Sequence, residues 1–129
     1  MSTIKADNIA TLAGVSTSMA NAVNGSAKAW VNFNGTGTVA IRDSYNVSSI
    51  TDITTGTYRV NFTTAMANAN YGMSGCAGGT NSGAGTRFWV NQSNTSESLA
   101  PTNAGASFTT GYSDSTFADC SRISIAIFS

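Results

Sequence analysis

The sequence predicts an all-β fold, an antiparallel β-sandwich or barrel with a short N-terminal helix or extended arm. Three observations carry that reading. From Lys28 onward apolar and polar residues alternate with a period of two, as half-buried strands require. Clusters of Gly, Asn, Thr and Ser separate these runs at the short spacing of antiparallel sheets. Ahead of them, residues 8–24 follow a different period. Ile9, Leu12, Ser16, Met19 and Val23 step by three and four, the seam of a short coiled coil.

Taken in order, the first element is that N-terminal segment. Asp7 is placed to cap a helix and Gly25 to end one. Gly14 and the run Val15-Ser16-Thr17 disfavour a helix, so an extended arm is the alternative. A helix of about two heptads is marginal alone in water, so the segment needs another surface, and a parallel oligomer supplies one. The oligomerisation residues are Ile9, Leu12, Met19 and Val23.

The strand region opens with "KAWVNFN", where Ala29, Val31 and Phe33 face one way and Lys28, Trp30 and Asn32 the other. "NGTG", Asn34 to Gly37, predicts a tight hairpin, because Asn-Gly accommodates the positive φ angles of primed turns. Thr38 to Arg42 and Tyr45 to Ile50 read as the next strands. "TYRVNFT" then alternates Tyr58, Val60 and Phe62 with Thr57, Arg59, Asn61 and Thr63. Further strands are expected over Asn70 to Cys76, Arg87 to Asn91, Ser107 to Tyr112 and Ser121 to Phe128. The last carries Ile123, Ile125 and Ile127 on one face, and a strand so apolar belongs inside a sheet, not at an edge. Segments 75–86 and 91–106 read as loops.

Composition adds a constraint. Ser, Thr, Asn and Gly supply 62 of 129 residues, whereas Ile, Leu, Val and Phe supply only 23. Six acidic residues balance six basic ones, so the chain lacks the net charge that would accompany disorder. A folded domain with a thin core is implied, completed by subunit association. With the 3-4 seam, this predicts a homotrimer.

The residues exclude much chemistry. There is no histidine, which removes the serine-triad arrangement and the commonest zinc and iron sites. Neither a metal nor a cofactor is expected. Asp43 and Asp52 sit at strand ends or turns, where Asp caps backbone. Asp114 and Asp119 bracket "SDSTFAD" without a full calcium pattern. The run "GGTNSGAG" lacks the lysine and helix of a phosphate-binding loop. The chain is therefore expected not to be an enzyme. Scattered single Lys and Arg residues give no nucleic-acid footprint, and no apolar run is long enough for a membrane helix. The N-terminus has no secretory h-region, so no export is expected.

Receptor-contact candidates are Tyr71, Trp89 and Tyr112, aromatics able to stack on sugar rings if exposed. Trp30 offers the same chemistry, but its strand pattern, like that of Trp89, fits core or subunit interface better. Cys76 and Cys120 read as two buried thiols, with a disulfide to the last strand as the alternative.

The stretch "KAWVNFNGTGTVAIRDSYNVSSITD", with "YRVNFTTAMANANY" and the later "ISIAIF", resembles tail-fibre and related virion surface proteins of bacteriophages, many from marine and cyanobacterial phages. "MSTIKADNIA" is similar to their N-terminal attachment segments. The resemblance covers residues 27–71 strongly and 121–128 loosely. It implies a trimeric, β-rich, non-enzymatic structural module on the virion that attaches to a host-surface saccharide or protein, beside other virion proteins of tail or capsid. It supplies no catalytic residues. Residues 1–25 would anchor and associate, 26–129 form the β-sandwich, and 75–117 carry variable loops. A chain this short equally fits a capsid decoration protein, a cement or head-fibre protein at threefold positions.

Overall fold

A computed structural model of the chain describes residues 2, 3, 5–79, 86–89, 100–112 and 116–129, excluding the side chains of 86–89 and 112. It is mostly β-strand with one short helix. The N-terminal segment departs from the helix expected over 8–24. Residues Asn8–Ala10 (β1) and Ser16–Ser18 (β2) form an antiparallel hairpin, and only Met19–Gly25 (α1) is helical. The reasons lie in the residues that spoil the seam. Gly14 turns at φ 82°, and the β-branched Val15 and Thr17 beside it favour extended backbone. Ser18, not Asp7, caps the helix by accepting from the Asn21 N–H at 3.1 Å.

Eight further strands make two four-stranded antiparallel sheets. One has the order β4 (Ala40–Tyr45), β3 (Ala29–Asn34), β10 (Arg122–Phe128), β7 (Gly72–Gly78). The other has the order β5 (Val47–Thr54), β6 (Thr57–Phe62), β9 (Gly105–Tyr112), β8 (Thr86–Trp89). Neither sheet closes on itself. The isoleucine-rich β10 is an inner strand between β3 and β7, as its apolar face requires.

Both sheets contribute to one core. Ala29, Val31, Phe33, Ile123, Ile125 and Ile127 come from the first, and Tyr58, Val60, Phe62, Ala106 and Phe108 from the second. The alternation read from β3 and β6 is thus the alternation between core and outer face. Phe33 sets its ring edge-on to Tyr58 at 5.3 Å and to Phe108 at 6.1 Å between centroids, joining the two sheets.

Two turns have decisive chemistry. The hairpin between β3 and β4 is longer than the tight Asn-Gly turn expected, because Asn34 stays in the strand. Its side-chain oxygen accepts from the Thr36 N–H at 3.2 Å and hydroxyl at 2.8 Å, and Gly37 takes the positive φ. Gly35 is needed for closeness, since a Cβ there would lie 2.5 Å from the Tyr58 hydroxyl. At the second turn Asn46, φ 54°, carries the chain from one sheet to the other between β4 and β5. Its amide donates to the carbonyls of Lys28 and Thr64, each at 3.1 Å, and its oxygen accepts from the Thr64 N–H at 2.7 Å.

Candidate functional site

The only acidic side chain that the described residues draw into the interior is Asp119, and it is committed to structure. Residues 116–121 cross the end of the second sheet, where the Ala118 N–H donates to the Thr110 carbonyl at 3.0 Å. This strap delivers the Asp119 carboxylate to the Gly56 N–H and the Tyr58 hydroxyl, both at 2.7 Å, with the Gly35 carbonyl sharing the phenol proton at 3.0 Å. Burial, then the bond to Asp119, pushes the Tyr58 phenol far above its ordinary range. The group cross-links a turn, a strand and the strap through one oxygen of the carboxylate. Asp43 accepts from the Ser44 N–H at 2.9 Å, a local backbone contact. Asp114 and Glu97 lie outside the described residues. Among the described residues no three Cys, Asp or Glu side chains gather where a metal could sit.

Both cysteines are free. Cys120 is buried in the core, its thiol raised chiefly by desolvation, while Cys76 is exposed on β7. Neither the disulfide nor a second buried thiol is present. Period-two geometry explains this, because Cys76 shares the outer face of β7 with its partner Ser124, away from the isoleucines of β10.

The aromatic candidates separate. Tyr71 is half-buried, edge-on to Phe62 at 5.8 Å between centroids. Its hydroxyl donates toward the carbonyls of Gly105 at 2.9 Å and Thr102 at 3.1 Å. Burial raises its phenol as well. Trp89 pairs with Thr109 and Tyr112 with Thr86 across β8 and β9, and their side chains fall outside the description.

Among the described residues, exposed apolar side chains gather in two places, with Ile41, Ile53 and Phe117 exposed elsewhere. The first is the N-terminal arm. Leu12 at the hairpin tip is fully exposed, Val15 is 71 % exposed, and Ile9 and Val23 are about half exposed. Met19 is half-buried. The second is the outer face of the first sheet, where Trp30 lies opposite Tyr45 on one side and Ala126 on the other. Trp30 is 37 % exposed, Phe128 38 % and Tyr45 59 %. Small residues at Ser74, Gly75, Cys76, Ser124 and Ala126 leave an open depression of about 550 Å³ beside the indole. On its floor the Asn32 amide donates to the Ser124 hydroxyl at 2.6 Å, and the Asn32 oxygen accepts from the Arg42 guanidinium at 3.4 Å. None of its lining residues is charged.

The sequence reading missed Tyr45 and Phe128 as members of this face. Alternation in "RISIAIF" marks Phe128 as outward, but only strand order brings it near Trp30. No family model, characterised protein or solved structure matches the chain.

Proposed function

We propose that the protein is a non-enzymatic bacteriophage virion structural module of tail-fibre or adhesin type. It assembles as a homotrimer, holds a β-sandwich at the particle surface and attaches to the host. The observation that supports this is the N-terminal arm, which presents Ile9, Leu12, Val15 and Val23 to solvent ahead of a compact β body. Large apolar side chains grouped on a small projecting element mark an association surface. The phage assignment rests on the sequence resemblance in residues 27–71. The neutral Ser-, Thr- and Asn-rich surface suits hydroxyl-bearing host polymers better than nucleic acid, which needs clustered positive charge. A trimer multiplies weak single contacts through effective concentration.

The test is competition. Purified protein should bind host cells and reduce phage adsorption in a dose-dependent way, and densitometry of purified virions should give tens of copies or fewer. Hundreds of copies per particle, with no binding to cells, would instead identify a capsid decoration protein.

A further inference from the structure

The arm and the Trp30 depression are unpartnered surfaces of the same chain. We propose that they are partners between copies: the hairpin tip of one copy, Leu12 to Val15, seats in the Trp30 depression of its neighbour. This rests on the self-association in the proposed function and adds the two surfaces that meet.

Charge is the first argument. Residues 8–25 contain no Lys, Arg, Asp or Glu, and neither does the lining of the depression. The nearest charge is the Arg42 guanidinium, held at the edge by the Asn32 oxygen at 3.4 Å and the Ser121 carbonyl. The contact itself is therefore between uncharged residues and carries little of the desolvation penalty that opposes many interfaces. The Asn32–Ser124 hydrogen bond also keeps those two side chains paired when water is displaced.

Shape is the second argument. Leu12 and Val15 form a protruding apolar tip, and Trp30 with the small residues beside it forms a recess. A two-stranded hairpin and a seven-residue helix have little stability alone, so the arm gains its order from whatever covers it.

Connectivity is the third. In the β1–β2 register Asn8 lies opposite Ser18, so the tip at residues 11–15 is the hairpin end remote from α1 and the body. The base is tied down: the Met19 N–H donates to the Asp7 carbonyl at 2.8 Å. The Lys28 ammonium and the Ser26 hydroxyl both donate to the Val23 carbonyl. With its base held this way, the tip is the end of the hairpin left to reach another copy. Each copy then gives one tip and receives one, a head-to-tail contact that makes a closed ring when its rotation is a whole fraction of a turn, as the proposed trimer requires.

Native Cys76 lines the depression and supplies the probe. Leu12→Cys protein, treated under native conditions with a short bismaleimide, should give a ladder of linked dimers and trimers on a denaturing gel. Wild type and the Leu12→Cys, Cys76→Ser variant should give none, and buried Cys120 does not compete. Links confined to single copies in a mixture of isotopically light and heavy chains would overturn the exchange. So would Cys76-to-Cys76 links in wild type, or an oligomer by native mass spectrometry in which the thiol introduced by Leu12→Cys forms no link to Cys76. A monomer would overturn the self-association as well, which separates the two failures. Leu12→Asp should convert the oligomer to folded monomer and speed Cys76 alkylation at least tenfold. Unchanged assembly in that variant would also refute the proposal.

Discussion

The hydroxyl of Tyr58 lies between the sheets and the strap, and its chemistry sets two expectations at the scale of the residue. Removing it in Tyr58→Phe leaves the Asp119 carboxylate and the Gly35 carbonyl without their phenol donor. The expected loss is about 1–3 kcal/mol of unfolding free energy, read from urea denaturation. The second expectation concerns pH. The folded-state value is raised above the ordinary phenol value of 10.0, so the neutral form is the one the fold stabilises. That contribution is complete below pH 10 and is lost as pH rises through the alkaline range. Absorbance titration at the phenolate band should show Tyr58 ionising only together with unfolding. Asp119→Asn should lower the melting temperature, and it should leave the release of reducing ends from host polysaccharide unchanged at background. Steady release by wild type that vanished in the variant would reveal a hydrolase. Gly35 belongs to the same cluster. A Gly35→Ala methyl would stand 2.5 Å from the Tyr58 hydroxyl and 2.8 Å from Ile123 Cδ1, so destabilisation by roughly 1–3 kcal/mol is expected.

Among the elements, the corner between β4 and β5 shows how one residue joins two sheets. Asn46 tolerates its left-handed backbone better than most side chains and uses its amide to hold Lys28 and Thr64. Asn46→Ala should cost roughly 2–3 kcal/mol, combining backbone strain with lost hydrogen bonds. Asn46→Gly should cost less, since glycine accepts the positive φ and only the bonds are lost. Chemical denaturation of the pair separates the two contributions, and equal losses would show that the strain is negligible. The edge strand β5 has register irregularities near Val47 and Thr54, and irregular edges resist pairing with other chains. The β4–β5 corner was legible only in part. "RDSYNVSSI" announced two strands, but Asn46 as their corner follows from its φ, which no local pattern revealed.

For the whole molecule, the division between arm and β body predicts separable behaviour. On the proposed function, deleting residues 1–25 should leave a folded, soluble β body and abolish both self-association and incorporation into particles. Light scattering and particle composition check the two outcomes, and a truncated protein that still assembled would place the association surface in the sheets. Within the body, Ile125→Ala removes a side chain that is 3 % exposed from the inner strand β10, and a loss of about 2–5 kcal/mol is expected. With so few large apolar residues in the chain, such a loss is a large fraction of total stability.

By itself the sequence determined the strand class, the inward faces of β3, β6 and β10, and the interior place of the isoleucine strand. Each follows from period-two alternation, which is local and survives without tertiary context. It also determined the unbalanced supply of apolar residues and the absence of histidine, which together direct attention to surfaces. The sequence left helix and extended arm open for the N-terminal segment, and the structure decided that the 3-4 seam breaks into a hairpin and a short helix. The spacing of Ile9, Leu12, Met19 and Val23 satisfied a helical template, but Gly14 and its β-branched neighbours disfavoured the helix that template required. It alone decided that Tyr71 is bound by the Thr102–Gly105 turn, and that Trp30, Tyr45 and Phe128 share one outer face. Those residues come from three strands, and only cross-strand register puts them beside one another.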